Sequence, residues 1–541
     1  MLPARPGART LPYLQDMVKA ASVAGVLAAG MALAAAEAVA AVTGGLSLVV
    51  AVGGLVVDLA PGWLVRRTIG LLGTSQKPVL LMGIVVVTLL AGAVLGRFVV
   101  GGRWTGRSAF MGFGLVGAGA AASSGSPFSG LVAGVIAAAT GIGVLEAALR
   151  RVPGSGSPAG DPTVVPLAGV PFEDPRVKAS TRRGFIAYVA GMSAAAGAVA
   201  VGSRALAGWG SEDLREQVVL PSARRTSGDR PATTPTRTEG PWTPMPGLSP
   251  WITPNDDFYR IDTALVVPRV DPSTWSMTID GFVEHELRFT LDDLLGMDLV
   301  DSAVTLSCVS NEVGGGLVGN AVWTGVPLVN LLAEAGLKSG AQQVMAWSVD
   351  GFNAGFPVAA ALDGRTALVV VGMNGEPLPF RHGFPARLVV AGLYGYVSAV
   401  KWLDRIQLTS LDDDGYWMPR GWAKDGPIKI ASRIDVPTGS RVLTGRQPVA
   451  GVAWAPVAGV AGVEVSVDGG PWIACRILQD GAPGRPGESW VQWLHTWDAE
   501  PGVHVLRVRA HDLDGRLQSH GPKSIAPDGA EGYHVRRILV T

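Results

Sequence analysis

The sequence predicts a three-part chain: an N-terminal α-helical membrane region, an α+β domain and a C-terminal all-β sandwich. Three observations predict it. The first 210 residues are dominated by Ala, Val, Leu and Gly runs, whereas the remainder has the turn- and aromatic-containing composition of a globular fold. From Trp251 to about Ser410, short alternating patterns mix with one helix-period stretch, Pro327 to Ala335, apolar at Leu328, Leu331, Leu332 and Ala335. After Asp425 only strand and turn patterns remain.

The chain has 541 residues, 44 basic and 44 acidic. That length accommodates several domains, and the zero net charge leaves no basic footprint, so no nucleic-acid partner is expected. The boundaries are read as a multi-span membrane region of about four helices over 1–150, a cytoplasmic loop plus final span over 151–220, a Pro/Thr-rich linker over 221–250, the α+β domain over 251–424 and the sandwich over 425–541.

Crossing a bilayer as a helix takes about 20 apolar residues. Such stretches lie near Met17 to Val39, Gly44 to Trp63, Val79 to Val100, within Ser108 to Leu149, and Phe185 to Leu206. The fourth is broken at Ser123 to Pro127, giving either two short spans or one span with a re-entrant segment. Arg66, Arg67 and Lys77, then Arg150 and Arg151, then Lys178, Arg182 and Arg183 flank the spans. The positive-inside rule makes those loops and the N-terminus cytoplasmic; Arg103 and Arg107 run against that trend. The lipid bilayer is therefore an expected partner, and the expected location is the cell membrane, multi-pass.

Before the last span, Ser180-Thr181-Arg182-Arg183-Gly184-Phe185-Ile186 resembles a twin-arginine export signal. With four spans ahead of it, this signal places the downstream domains outside the cytoplasm. The twin-arginine route moves proteins already folded, which implies a cofactor downstream. The Pro-, Thr- and Arg-rich linker then separates anchor from catalyst.

The chemistry centres on Thr305-Leu306-Ser307-Cys308-Val309-Ser310-Asn311-Glu312-Val313-Gly314-Gly315-Gly316. An apolar run from Asp301 reads as a strand that ends on a thiol and enters a glycine-rich loop. The only other cysteine is Cys475, so a disulfide framework is not available. Three readings remain open from these residues: an inert buried thiol, a nucleophile needing a histidine base, and a soft thiolate ligand to a metal. In the sandwich, strands are read at Val449 to Trp454, Gly462 to Val467, Trp490 to Thr496, His504 to His511 and Gly532 to Val540, a spacing of immunoglobulin type.

Five motifs occur in one order: Thr305 to Asn311, Trp323-Thr324-Gly325-Val326-Pro327-Leu328, Asn374-Gly375-Glu376-Pro377-Leu378-Pro379, His382-Gly383-Phe384-Pro385-Ala386-Arg387 and Val400-Lys401-Trp402-Leu403. Together they resemble the sulfite oxidase family of molybdopterin-dependent oxidoreductases. The segments Val463 to Gly470 and Asp528 to His534 are similar to that family's dimerisation domain. The resemblance covers about Trp251 to Thr541. It implies a sulfite-oxidase-type molybdopterin domain, a molybdenum–molybdopterin cofactor and a possible homodimer. It implies Cys308 as the catalytic metal ligand, held as thiolate by the ion. Phe258, Tyr259, Arg260, Asp262, Asp350, His382, Arg387, Ala399, Val400 and Lys401, with Cys308, stand where relatives contact the pterin and its phosphate.

The chain departs from the family at two places. No arginine follows the cysteine, where Val309, Ser310, Asn311, Glu312 and Val313 stand, which argues against sulfite as substrate. For the family's catalytic tyrosine the nearby candidates are Tyr416 and, in its place, Trp422. All seven histidines lie from His285 onward and no Cys-x-x-Cys-His occurs, so no haem is expected in this chain. Electrons then pass through a separate partner or a quinone. Glu37 and Asp58, near span ends, are read as facing headgroups. Two alternatives stand beside this reading: a membrane-tethered scaffold that keeps the fold without cofactor, and a cysteine hydrolase pairing Cys308 with His382.

Overall fold

The computed structural model describes residues 11–541 except 44, 62–63, 65–66, 69–70, 73–74, 100–102, 124–126, 152–174, 209–210, 226–244, 479–484 and 486. Most of the expected cytoplasmic loop and of the linker thus lies outside the described residues. The chain divides into two units, Met1–Ser211 and Glu212–Thr541.

In the first unit the helices are Leu11–Thr43, Leu48–Leu59, Gln76–Val99, Arg103–Ser123, Pro127–Leu149 and Pro175–Gly208. Among the described residues four stretches are long and apolar enough to cross a membrane: Val18–Thr43, Gln76–Phe98, Phe128–Leu149 and Arg183–Ser203. The expected span from Gly44 to Trp63 is corrected. Its helix, Leu48–Leu59, has 12 residues, about 18 Å of rise against a hydrocarbon core of about 30 Å. Ser47 starts that helix by accepting the Val50 N–H, and its hydroxyl donates to Glu37. The stretch from Ser108 to Leu149 resolves into two helices that stop and restart around the expected break, of which only the second passes as a span. The last helix begins at Pro175, ahead of the paired arginines, so Arg182 and Arg183 are helical.

Glycine permits the close helix crossings here. A Cβ on Gly25 would sit 2.0 Å from the Gly92 carbonyl oxygen, and one on Gly96 2.1 Å from that of Ala21. Small residues let membrane helices approach backbone to backbone, which replaces the hydrophobic drive that lipid removes. Glu146, inside a candidate span, is paired with Arg107 at 2.5 Å.

The second unit opens with two sheets. One runs β1-β4-β5-β8-β10, with β9 on β8: β1 Arg224–Arg225, β4 Val300–Ser307, β5 Val318–Pro327, β8 Ala367–Met373, β9 Glu376–Pro377 and β10 Arg387–Val390. The other runs β3-β2-β11-β6-β7: β2 Ser276–Gly281, β3 Leu287–Thr290, β6 Gln343–Ser348, β7 Asn353–Pro357 and β11 Leu403–Thr409. The first sheet is buried on both faces. Ala303 of β4 enters one apolar core while Val300, Val304 and Leu306 enter another, the period-two division expected of a strand covered on each side. The expected amphipathic helix is present as Leu328–Ala335, with its four apolar positions buried.

From Ala431 onward two further sheets enclose one core that includes Ile434, Val449, Trp493, Leu506 and Ile538. Each of the five strands read from the pattern is present, as Gly445–Trp454, Val460–Val467, Val491–Ala499, Gly502–Asp512 and His534–Val540. Ala431–Val436 was not expected as a strand, because Arg433 and Asp435 interrupt its hydropathy. Those two side chains lie on one face and pair with each other at 2.6 Å, while Ser432, Ile434 and Val436 point inward.

A connector of this β-region reaches back to β4. The Glu488 carbonyl accepts the Thr305 N–H at 2.9 Å, the Ser489 hydroxyl donates to the Ala303 carbonyl at 2.8 Å, and the Trp490 N–H donates to the Thr305 hydroxyl at 2.7 Å. The free edge of β4 is thereby paired up to the residues just before Cys308.

Candidate functional site

Cys308 leaves β4 with its own N–H still donating to the Leu317 carbonyl at 2.9 Å. The loop beyond it closes on itself: the Asn311 N–H donates to the Cys308 carbonyl at 3.0 Å, and the Leu317 N–H to the Asn311 side chain at 2.8 Å. The sulfur accepts the Ser310 N–H at 3.4 Å. Burial raises the thiol's pKa, against the Ser310 bond and the positive charge of Lys401, which favour the thiolate. No histidine bonds it among the described residues. His382 instead faces the Asn255 carbonyl at 2.9 Å, and burial, with Arg387, Lys401 and Arg381 nearby, holds its pKa down to about 3. A neutral imidazole engaged elsewhere does not make a Cys–His nucleophile pair.

The cations come from the two ends of the segment between Phe380 and Trp402. A short turn, Phe380–His382, stops at Gly383 with φ of +114°. A Cβ there would lie 3.0 Å from the Arg387 Cβ and 3.1 Å from the Lys401 Cβ, so glycine both permits the turn and lets the two stems close over it. Arg387 is buried, donates to the His382 carbonyl at 3.0 Å and the Ala399 carbonyl at 3.4 Å, and lies 4.9 Å over the Trp323 ring. Its Nε is buried without a partner. Lys401 donates to Asp262 at 3.0 Å and to the Arg381 carbonyl at 3.3 Å. Burial pulls Lys401 to about 8 and Arg387 to about 10, the desolvation cost of two cations placed close together.

The remaining predicted residues group around this pair. Phe258 stacks on Tyr259 with centroids 5.2 Å apart and meets Trp323 and His382 edge-on at 5.6 and 5.7 Å. Burial pushes the Tyr259 phenol well above its ordinary range, and Cys308 and Arg387 lie within electrostatic reach of it. Asp262 holds Lys401 from inside and Arg260, exposed, from outside at 2.8 Å. Ala399 offers its carbonyl to Arg387, and Val400 contributes backbone alone, its carbonyl accepting the Leu388 N–H at 2.8 Å. Asp350 stands apart, joined to this segment only through Thr263 at 3.5 Å.

Tyr416 packs on Phe352 at 5.7 Å and under Arg420 at 3.6 Å, and Trp422 packs on Trp417 and Tyr396. The tyrosines in electrostatic reach of Cys308 are Tyr259 and Tyr394. Tyr394 is buried, its phenol pushed up to about 12, and its hydroxyl accepts the Lys429 N–H at 3.4 Å. Its position inside an apolar run, Leu393-Tyr394-Gly395-Tyr396-Val397, disguised it as core. Asn255 and Trp323 were also missed, one acting through a carbonyl and the other through a ring face.

This donor set suits one kind of guest. Among the described residues no three His, Cys, Asp or Glu side chains gather to hold a metal, so Cys308 can only complete the coordination of a metal that brings its other ligands with it. The orphaned Arg387 Nε and the two buried cations call for an anionic, hydrogen-bonding partner.

Residues 264–417 match the family model described as oxidoreductase molybdopterin binding domain. Human mitochondrial sulfite oxidase is 31% identical over 323 residues, which are 51% of this chain and 58% of the human protein. Over about half its length the chain is similar to sulfite oxidases. The NAD(P)H nitrate reductase of Hordeum vulgare is 27% identical over 307 residues, 46% of this chain and 34% of the barley protein. The chain spans just over half the length of its mammalian relatives. The crystal structure of the sulfane dehydrogenase SoxCD from Paracoccus pantotrophus aligns with 58% of this chain and 95% of that one at 24% identity, with a TM-score of 0.46. The matched domain is a molybdopterin-dependent oxidoreductase domain with a molybdenum–molybdopterin cofactor, and the cradle described above fits that group.

Glu488, whose backbone carbonyl braces the thiol-bearing strand, also carries a buried carboxyl. Glu488 accepts the Thr366 N–H at 2.7 Å through Oε1, and its Oε2 is buried with no partner. Burial raises its pKa. For an acid raised on folding, stability is greatest below the unfolded value and is lost as pH rises through the folded one. Glu488→Gln is therefore expected to raise the thermal midpoint at pH 8 by about 2 °C or more, with no gain at pH 4. A gain at both pH values would assign the effect to packing rather than charge.

Proposed function

We propose that this chain is a membrane-anchored oxidoreductase that carries out two-electron oxygen-atom transfer with its catalytic domain on the extracytoplasmic side. With four spans this puts the N-terminus on that side too, against the cytoplasmic N-terminus expected from the basic residues. The observation that carries it is the Arg387–Lys401 cradle, with its orphaned donor, in reach of a strand-end thiol. Molybdenum bound to the pterin supplies the redox chemistry when present. Cys308 would ligate the metal. Arg387, Lys401 and the neutral His382 would hold the pterin and its phosphate, Phe258 and Tyr259 would wall the site against water, and Asp262 would keep Lys401 charged and aimed.

The boundaries read from the pattern, 251–424 for the catalytic domain and 425–541 for an immunoglobulin-like, dimer-forming sandwich, belong to the same proposal. So do the bilayer anchor, the twin-arginine-like export step at Arg182 and Arg183, and an electron partner or quinone distinct from this chain. The four long apolar helices support the anchor. Sulfite is disfavoured, because the residue run after Cys308 brings Glu312 in place of an arginine.

Elemental analysis of detergent-purified full-length protein, made in cells with an intact pterin pathway, tests the reading. About one molybdenum per chain is expected. Its absence would leave the scaffold reading in its place.

A further inference from the structure

The loop that follows Cys308 carries three consecutive glycines, Gly314, Gly315 and Gly316. Such a run has the greatest backbone freedom a chain can have, yet the loop it belongs to sets the thiol. Cys308 donates its N–H to Leu317 at the far end of the loop, and Ser310 donates to its sulfur. Two side chains of the β-region close on the glycine run. Arg433, on the strand Ala431–Val436, donates to the Gly315 carbonyl at 2.8 Å through Nη1, to Asp435 at 2.6 Å through Nε and to the Ser249 hydroxyl at 2.7 Å through Nη2. The Ser249 N–H donates in turn to Asp435 at 3.1 Å, closing a ring that fixes the guanidinium from behind. His534 lies against Gly314: a Cβ there would stand 2.4 Å from the ring atoms Cδ2 and Nε2, at a φ of +77°. The Ile434 N–H donates to His534 Nδ1 at 2.9 Å, which leaves the ring proton on Nε2. Burial, with Arg536 and Arg433 nearby, holds the imidazole neutral, its pKa down to about 4.

Resting on the proposed oxidoreductase reading, we propose that Arg433 and His534 are positioning residues for the metal-ligating thiol: they clamp the glycine run so that the loop presents Cys308 at one angle. The coupling passes through bonds inside the loop. The Gly315 N–H donates to the Glu312 carbonyl at 2.8 Å, and the Asn311 side chain accepts the Leu317 N–H while the Asn311 N–H donates to the Cys308 carbonyl. A shift at Gly315 is thereby handed to the turn whose Ser310 N–H meets the sulfur. The β-region takes part in the site without touching the metal, as outer partners that orient a ligand do.

The test follows full-length protein in detergent by two readouts that need no turnover. One is hydrogen exchange of the peptide covering residues 310–317, with and without cofactor; the other is the paramagnetic resonance signature of molybdenum-loaded protein reduced with dithionite. Arg433→Met and His534→Ala should each speed exchange in that peptide on the order of tenfold and shift the signature, while exchange over Val318–Pro327 and molybdenum content hold within about twofold. Gly314→Ala keeps both side chains and pushes the loop off the ring, so it should produce the same two changes even if the other variants fail to fold. His534→Asn supplies an acceptor for the Ile434 N–H without the ring. It should recover the thermal midpoint lost in His534→Ala while the loop still exchanges fast; slow exchange in His534→Asn would make His534 a fold residue only. Unchanged loop exchange in the folded variants would overturn the clamp, as would fast exchange with an unaltered signature. Exchange in cofactor-free protein reports on the clamp alone and molybdenum content on the oxidoreductase reading, so the two fail separately.

Discussion

Cys308→Ser is expected to leave the protein folded and to cut oxygen-atom transfer by at least about a thousandfold, roughly 4 kcal/mol of barrier. The substitution is nearly isosteric at a buried position whose sulfur accepts one N–H bond, from Ser310, and a serine oxygen can accept the same bond. What it removes is the soft, ionisable ligand. A serine hydroxyl ionises far less readily than a thiol and is a harder donor, so it does not replace a thiolate on a metal already bound by sulfur. The pterin cradle at Arg387 and Lys401 is untouched, so molybdenum content should hold within about twofold while the metal's paramagnetic resonance signature changes. Wild-type turnover with an unaltered signature would show that Cys308 is a packing residue and that the metal, if present, is held elsewhere.

Asp262→Asn should be the most destabilising single change at the cradle, and more so without cofactor than with it. Asp262 and Lys401 are 5% and 9% exposed at their side chains. Removing one partner of a buried ion pair costs about 3–5 kcal/mol, because the other charge is left uncompensated. The Lys401 pKa is depressed to about 8. A base depressed on folding gains stability as pH rises from its folded value toward its unfolded one, and loses it as pH falls through the folded value. Taking away Asp262 depresses Lys401 further, so the variant's deficit should be large at pH 7 and shrink by pH 10. An anionic phosphate in the cradle would take over part of the pairing, making the loss in midpoint smaller in the loaded protein. Equal losses in loaded and cofactor-free protein would place the phosphate away from Lys401. The double change Asp262→Asn with Lys401→Met should recover stability relative to Asp262→Asn alone, isolating the pair from its surroundings.

Much of the site was legible because its signals are local. A strand ending on a thiol, the glycine after His382 and the cations at Arg387 and Lys401 are properties of short segments, and the family's motifs occur in one order along the chain. Other features were legible only in part. Tyr259 was singled out from the sequence, whereas Tyr394, also within electrostatic reach of the thiol, was not. A tyrosine in an apolar run reads as core, and nothing in its neighbours' hydropathy tells which way its hydroxyl faces. The second apolar stretch was read as a span because composition counts apolar residues but does not count helical turns. Its helix stops at Leu59 after 12 residues.

The sequence by itself determined the division into an apolar helical part and a globular part, and the identity of the thiol strand. Each follows from periodicity, composition or residue chemistry within a few turns of chain. Only the tertiary structure decided that Asp262, 139 positions before Lys401, neutralises it, that Glu488 and Trp490 brace the strand carrying the thiol from the β-region, and that Asp528, 99 positions after Lys429, pairs with it at 2.9 Å. The physical reason is the same in all three. Local pattern fixes which face of an element is buried, but the partner of a buried charge is chosen by packing between distant segments, and no local pattern records that choice.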